Sequence, residues 1–529
     1  MPDAVVIGAG PNGLVAANVL VDAGWSVEAL EAQQEPGGAV RSDRGVHPDY
    51  VSDLFSAFYP LAAVSPVLAR LDLAAEGLRW SHAPRVLAHP LRDGRCAVLE
   101  RRVEETTAGL QTFAPGDGDA WLHMYEAWSR VGPHLVQAMF TPFPPVRPAL
   151  RLAAAFRAAG GLRLARNLAL PVRRLGEEEF RGEGGRLLLA GNALHADLAP
   201  EAVGSGGFGW LMSMLGQSHG FPVPVGGADA LTAALVRRFQ RRGGVLRCGE
   251  RAASVVVRRG RAVGVITAAG DTVGASRAVL ADTSAPALYR ELVGEEHLPS
   301  RLLRDLERFQ WDFATFKVDW ALSDSVPWTA PQASGAGTVH VADGVDGLTR
   351  FASQIAMGQV PDEPFALLGQ MTTADPSRSP AGTESAWAYT HVPQIVASDA
   401  GSDRITGRWD AREQEAMADR VEAQVERFAP GFRTRILARR ILAPATLQAM
   451  DENLHNGAIN NGTTALYQQA LFRPVPGTGR PETPVKGLYL ASAAAHPGGG
   501  VHGAPGANAA RAALAHCAPT ILLHRAQRL

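Results

Sequence analysis

Cysteine, lysine and long apolar runs are scarce in this chain of 529 residues. Its three cysteines, Cys96, Cys248 and Cys517, stand far apart. With no CxxC and no metal-ligand pairing they exclude a disulfide redox centre and suit a reducing compartment. Two lysines, Lys317 and Lys486, occur against 49 arginines, a bias that with abundant Ala and Gly reads as base composition rather than function. A net charge of −1 gives nucleic acid no electrostatic footprint. The first apolar run, "AVVIGAG", is too short to span a membrane. No basic segment or cleavage site stands at the N-terminus, so the chain reads as a bacterial, cytoplasmic protein. No metal-ligand spacing and no Ser-His-Asp order is visible.

What remains is an ordinary globular composition, 46% hydrophobic and 19% charged, at a length that calls for two domains. The opening stretch, "DAVVIGAGPNGLVAANVLVDAGWSVEALEA", has three linked parts. Ala4 to Ile7 reads as a buried parallel strand, Leu14 to Ala23 as a helix, and Ser26 to Leu30 as a second strand ending at Glu31. Between strand and helix, Gly8, Gly10, Pro11, Asn12 and Gly13 form the turn. Gly8 permits the bend, Gly10 lets backbone approach a pyrophosphate, and Gly13 lets helix pack on strand. The helix dipole faces the phosphates, and Glu31 is placed to accept from an adenosine ribose. This is a dinucleotide site. A second G-x-G-x-x-G, "GSGGFG" at Gly204 to Gly209, has no strand before it and reads as a loop, leaving no second dinucleotide domain for NAD(P)H.

Immediately after the ribose acid comes "EAQQEPGGAVRSD", where Gly37 and Gly38 form another turn and Arg41 is a charge partner for the pyrophosphate. Near the other end, "HPGGGVHGAPGANAARAAL" places Gly498 to Gly500 before an alanine-rich helix starting near Gly503. These stretches resemble the phytoene desaturase-like family of FAD-dependent oxidoreductases, within the carotenoid desaturase and amine oxidase superfamily. "PVGGADALTAAL", "GQVPDEPFALLGQMTTADPSRSPAG" and "QALFRPVPG" point to its subgroup containing retinol saturase and pyridine nucleotide-disulphide oxidoreductase domain-containing protein 2.

The resemblance implies an α/β fold: a Rossmann-type FAD-binding domain built from discontinuous segments (1–70, 222–297 and 456–529), with an interleaved α+β substrate domain (71–221 and 298–455). It implies an extended FAD, adenosine at Gly8–Glu31, the backbone of Ala252 near the adenine, and the isoalloxazine beneath Gly499, Gly500, Val501 and Gly503. The helix N-terminus there favours the anionic reduced flavin. Ser492-Ala493-Ala494 departs from relatives that carry Gly or an acid there, and no cysteine in the motif suits covalent attachment, so non-covalent FAD is expected.

For chemistry, hydride passes between a substrate C–H bond and flavin N5. Lys317, on "FATFKVDWAL", matches the strand on which some relatives hold a water near N5, although a lysine snorkelling from a strand edge gives the same pattern. His502 is a candidate acid or base with its pKa near neutrality, against a purely structural histidine; His496 and His455 are weaker. The expected function is desaturation or saturation of an apolar, isoprenoid-like substrate, with oxygen or quinone as acceptor. Alternatives are a flavin amine oxidase with an aromatic cage, to which Trp387 and Tyr389 are candidates, and a non-catalytic FAD-stabilised interaction protein. Residues 127–176 carry eight arginines and no Asp or Glu. They form either a peripheral membrane contact or a solvated cap balanced by acids elsewhere.

Overall fold

The computed structural model describes residues 1–517; the last twelve residues of the expected 456–529 segment lie outside it. A five-stranded parallel sheet has the order Leu488–Leu490, Ala278–Ala281, Ala4–Ile7, Val27–Glu31, Val245–Cys248. Its strands come from three distant stretches of the chain. Alternation along Ala4–Ile7 assigns the two faces. Ala4 and Val6 pack under the helices Pro11–Asp22 and Ala504–Cys517. Val5 and Ile7 pack against the antiparallel strands Ala252–Arg258, Arg261–Thr267 and Thr272–Gly274. With both faces covered, every residue of this first strand is buried, which is why it reads as an unbroken apolar run.

The first helix starts at Pro11, three residues earlier than expected. A first-turn N–H has no intrahelical partner, so proline costs nothing at that position. Glu31 is the last residue of its strand, which pins the carboxylate rather than leaving it on a loop.

A second sheet of seven strands runs Ile436–Leu442, Ala314–Leu322, Glu384–Val392, Ala366–Gln370, Ala336–Val341, Arg85–Pro90, Cys96–Leu99. Its pairings are antiparallel except between Ala336–Val341 and Arg85–Pro90. One face buries Phe316, Val318, Trp320, Ala386 and Ala388 against the helix Ala411–Glu426. The residues between them, Thr315, Lys317, Trp387 and Tyr389, point to the opposite face. There the helices Asp117–Met139, Glu183–His195 and Ser205–His219 close over the sheet.

The "GSGGFG" stretch is helical rather than a loop: Gly204 caps it at φ 83°, and the helix runs Ser205–His219. Its glycines serve close packing. A Cβ on Gly206 would stand 2.8 Å from Leu170 O, and one on Gly209 would stand 2.5 Å from Leu189 O. Glycine spacing that resembles a phosphate turn here arises from backbone meeting backbone between helices.

Candidate functional site

A cavity of ≈590 Å³ runs between the two sheets, within the usual size range of ligand pockets. Both glycine-rich ends of the chain line it: Gly8, Gly10, Pro11, Asn12, Glu31 and Gly38 from one side, Gly499, Gly500, Val501 and His502 from the other. Ala252 and Lys317 line it as well. Gly13, Gly37, Arg41 and Gly503 do not; they sit one layer behind.

At the N-terminal end the two turns touch. Gly37 N–H donates to Ala9 O at 2.9 Å, and a Cβ on Gly38 would approach Gly10 Cα to 3.1 Å. Glu31 accepts from the backbone N–H of Ala9 at 2.7 Å and of Gln33 at 2.9 Å, so its carboxylate is held at the cavity wall as an acceptor. Arg41 turns away: its guanidinium donates to Gly38 O at 3.0 Å and Met450 O at 2.7 Å, and it lies over Phe55. It braces the second turn, and its charge reaches the cavity only through space.

At the C-terminal end the helix Ala504–Cys517 crosses the first helix so closely that a Cβ on Gly506 would stand 1.9 Å from Asn12 O. That approach brings the last glycine turn to the first one. Gly499 faces Asn460, and Gly500 adopts φ 96° against Leu61. The helix's first amide is used internally, because Ala504 N–H donates to His502 Nδ1 at 3.1 Å. His502 is buried and stacks on Phe140, with ring centroids 4.7 Å apart. Burial pushes its pKa down to about 4. With Nδ1 accepting, the neutral ring carries its proton on Nε2. A histidine held this way, its other nitrogen bonded to the backbone of Gly498 and Gly499, shapes the turn, which differs from the near-neutral acid or base that its position in the sequence implies.

The far end of the cavity is apolar, lined by Phe58, Phe208, Leu211, Met212, Phe221 and Trp387. Lys317 enters beside them. Its ammonium donates to Asp53 O at 2.9 Å, pairs with Asp319, and lies 5.8 Å from the Trp387 ring centroid. Burial holds its pKa below the ordinary lysine range, opposed by the charge of Asp319. Asp319 in turn binds Arg440 at 2.8 Å, and Arg440 binds Asp43 at 2.7 Å, a run of alternating charges leading from the cavity to the surface. Trp387 and Tyr389 stack on each other, centroids 5.9 Å apart and planes 15° apart, on one strand.

Asp282, Asp451 and His195 are among the cavity-lining residues that the sequence reading missed. Asp282 and Asp451 stand at the adenosine-side turns. His195 ends its helix at the apolar end, where burial pushes its pKa to about 4. Behind it, His391 contacts Asp197 at 2.8 Å. Asp282 had a signal, since it directly follows a strand of the dinucleotide sheet; His195 had none. Among the described residues no cluster of His, Cys, Asp and Glu is arranged to hold a metal ion, and no helix is long and apolar enough to cross a membrane.

The family model for flavin containing amine oxidoreductase matches residues 12–514. The rat (Rattus norvegicus) pyridine nucleotide-disulfide oxidoreductase domain-containing protein 2 is 28% identical over 552 aligned residues, covering 96% of this chain and 92% of its own. A neurosporene-forming phytoene desaturase of Cereibacter sphaeroides is 25% identical, covering 98% and 95% of the two chains. The crystal structure of an oxidoreductase from Methanosarcina mazei superposes with a TM-score of 0.62 at 15% identity, over 97% of this chain and 99% of that one. At that identity the likeness concerns the fold. The match begins inside the first glycine turn, at Asn12, and runs through the last one, and the chain belongs to the flavin-containing amine oxidoreductase family, as a flavin-dependent oxidoreductase.

Proposed function

We propose that the chain binds FAD non-covalently along this cavity and uses it to remove hydrogen from, or add it to, a carbon–carbon bond of an apolar, isoprenoid-like substrate. The observation that carries the reading is a single cavity that is glycine-lined and polar at one end and apolar and aromatic at the other. Gly8, Gly10, Pro11 and Asn12 would take the pyrophosphate, with Gly13 behind them on Asp282, Glu31 would take the ribose, and the backbone of Ala252 the adenine. Gly37, Gly38 and Arg41 would support the far side of the pyrophosphate. Gly499, Gly500 and Val501 would face the ring end, with Gly503 one layer behind against Val15. None of Cys96, Cys248 and Cys517 lines the cavity, in keeping with non-covalent attachment.

When bound, the flavin supplies the hydride acceptor or donor. Around it the chain excludes water with Phe58, Phe208 and Phe221, orients the substrate on Trp387 and Tyr389, and holds a buried cation at Lys317. An amine substrate is less well served. The two stacked rings leave no slot between them. The lining carboxylates, Glu31, Asp282, Glu291, Asp451 and Glu452, lie with the adenosine-side segments.

Anaerobic photoreduction followed by stopped-flow mixing with oxygen or a soluble quinone tests this reading. Slow recovery of the oxidised flavin spectrum with oxygen and rapid recovery with quinone is the expected result. Rapid recovery with oxygen would bring amine oxidation forward. A flavin that returns with neither points to the non-catalytic alternative, and purified protein with no flavin spectrum overturns the proposal.

A peripheral membrane contact has its own supporting observation. The helices Val146–Ala158 and Leu162–Ala169 bury no residue, and Leu150 and Leu162 are 69% and 89% exposed. Arg166, Arg173 and Arg174 are balanced by Glu178, Glu201 and Asp346. Arg147, Arg151, Arg157 and Arg163 have no ion-pair partner among the described residues. Co-sedimentation with anionic vesicles should therefore exceed that with zwitterionic ones, and R151E/R157E should abolish the difference. Equal recovery from both lipids would assign these arginines to a solvated cap.

A further inference from the structure

Asp282 follows the strand Ala278–Ala281 and is fixed at both backbone atoms: its N–H donates to Ile7 O at 2.7 Å, and its C=O accepts from Asn453 Nδ2 at 2.9 Å. Its side chain reaches across the sheet to Gly13, whose N–H donates to Oδ2 at 2.7 Å. All three motif glycines face this residue. A Cβ on Gly8 would stand 2.9 Å from the carbonyl oxygen of Asp282, on Gly10 2.8 Å from Oδ2, and on Gly13 3.1 Å from Oδ2. The glycines thus make room for a carboxyl group of the chain itself. It sits at the N-terminal end of the helix Pro11–Asp22, where an anion is favoured and where a pyrophosphate would also be drawn.

The surroundings are acidic. Glu31 faces the same cavity from its strand, Asp451 and Glu452 from the segment after the helix Pro444–Met450, and Glu291 from the turn Ala287–Leu292. Against them stand Arg251, which is paired with Glu452, and Arg41, which is bonded to two carbonyls behind the wall. A pyrophosphate entering this end adds negative charge beside these carboxylates, which favours uptake of a proton with it.

We propose that Asp282 is a cofactor-positioning residue that holds the dinucleotide as a neutral acid, so that binding above the titration range of Asp282 takes up one proton. The inference rests on reading the cofactor as FAD. Neutral Asp282 keeps its bond from Gly13 and offers an O–H to the phosphates; ionised Asp282 competes with them for the same amide. Burial, with Asp451 and Glu31 nearby, already raises its pKa to about 8 in the free chain, against the pull of the Gly13 N–H. Asp451 is raised to about 6, mainly by burial, and would act in a lower range.

The sign follows directly. A ligand that prefers the protonated form raises the pKa further, so affinity is constant below the free value and falls as pH rises above it. The test is fluorescence titration of the flavin-freed, full-length chain with FAD from about pH 6 to about pH 9.5. Kd should be flat up to about 8 and then rise about tenfold per pH unit. Asp282→Asn, which supplies a neutral acceptor and donor of the same shape, should bind with little dependence on pH. Calorimetry of the wild type in buffers of different ionisation enthalpy should count close to one proton taken up at the alkaline end, and this decides the matter if the variant does not fold. A flat Kd, a slope that survives in D282N, or a slope that begins near pH 6 overturns the proposal. Failure to bind FAD at every pH instead overturns the cofactor reading on which it rests.

Discussion

Replacing Arg378 by methionine should lower the unfolding free energy by about 3–5 kcal/mol, read from the denaturant midpoint. Arg378 is fully buried, yet it carries a charge and three sets of partners. It binds Asp53 at 3.0 Å, Asp375 at 2.9 Å and Pro224 O at 3.0 Å. Those partners come from three distant segments, and each also fixes backbone. Asp53 accepts from Ala228 N–H at 2.9 Å and Ser42 Oγ at 2.7 Å, while Asp375 accepts from Gly226 N–H at 2.8 Å. Methionine keeps most of the apolar volume but strands two buried carboxylates without their cation. The loss should be largest near neutral pH and shrink in acid, where Asp375, which burial raises but hydrogen bonds from Gly226, Ser377 and Arg378 hold below the ordinary carboxylate range, takes up a proton. A midpoint equal to wild type would mean that this cluster does not tie its three chain segments together.

The same cluster shows what a linear reading reaches. The cofactor turns were legible because their geometry is local: a strand, a glycine bend, a helix and an acid occur within 31 residues, and backbone sterics dictate the order. Boundaries shifted by a few residues where proline or a strand-end acid decided them. The polar face of Ala314–Leu322 was legible in part, since Thr315, Lys317 and Asp319 alternate with Phe316, Val318 and Trp320. What Lys317 would meet was not legible, because its partner Asp53 lies 264 residues away. Asp282 lies 269 residues from the amide it binds, and no pattern links them. Arg41 fits a phosphate partner in the sequence, but the structure spends its donors on two carbonyls. The "GSGGFG" helix makes the converse point: tight helix packing and phosphate binding both require glycine, and only the flanking strand separates them.

Lys317→Met is expected to lower the two-electron reduction potential of the bound flavin by about 20–60 mV, equivalent to about 1–3 kcal/mol. The run Lys317, Asp319, Arg440, Asp43 alternates in sign and is neutral as a whole. Removing its first member leaves a net negative charge facing the cavity, where water is displaced and screening is weak. That charge would disfavour a reduced, anionic flavin in the cavity, so the potential would fall. Lys317→Arg retains the sign of the charge and should keep the potential near wild type, which separates electrostatics from a general disturbance of packing. The arginine variant also controls for stability, since Asp319 keeps a cation on both sides. Equilibration with a reference dye during slow anaerobic reduction measures all three proteins without any knowledge of the substrate. A methionine variant with unchanged potential would show that Lys317 serves only the sheet, through Asp53 and Asp319. A fall in the methionine variant alone would make Lys317 a cation that tunes the flavin, held in place by the carbonyl of the same Asp53 whose carboxylate anchors Arg378.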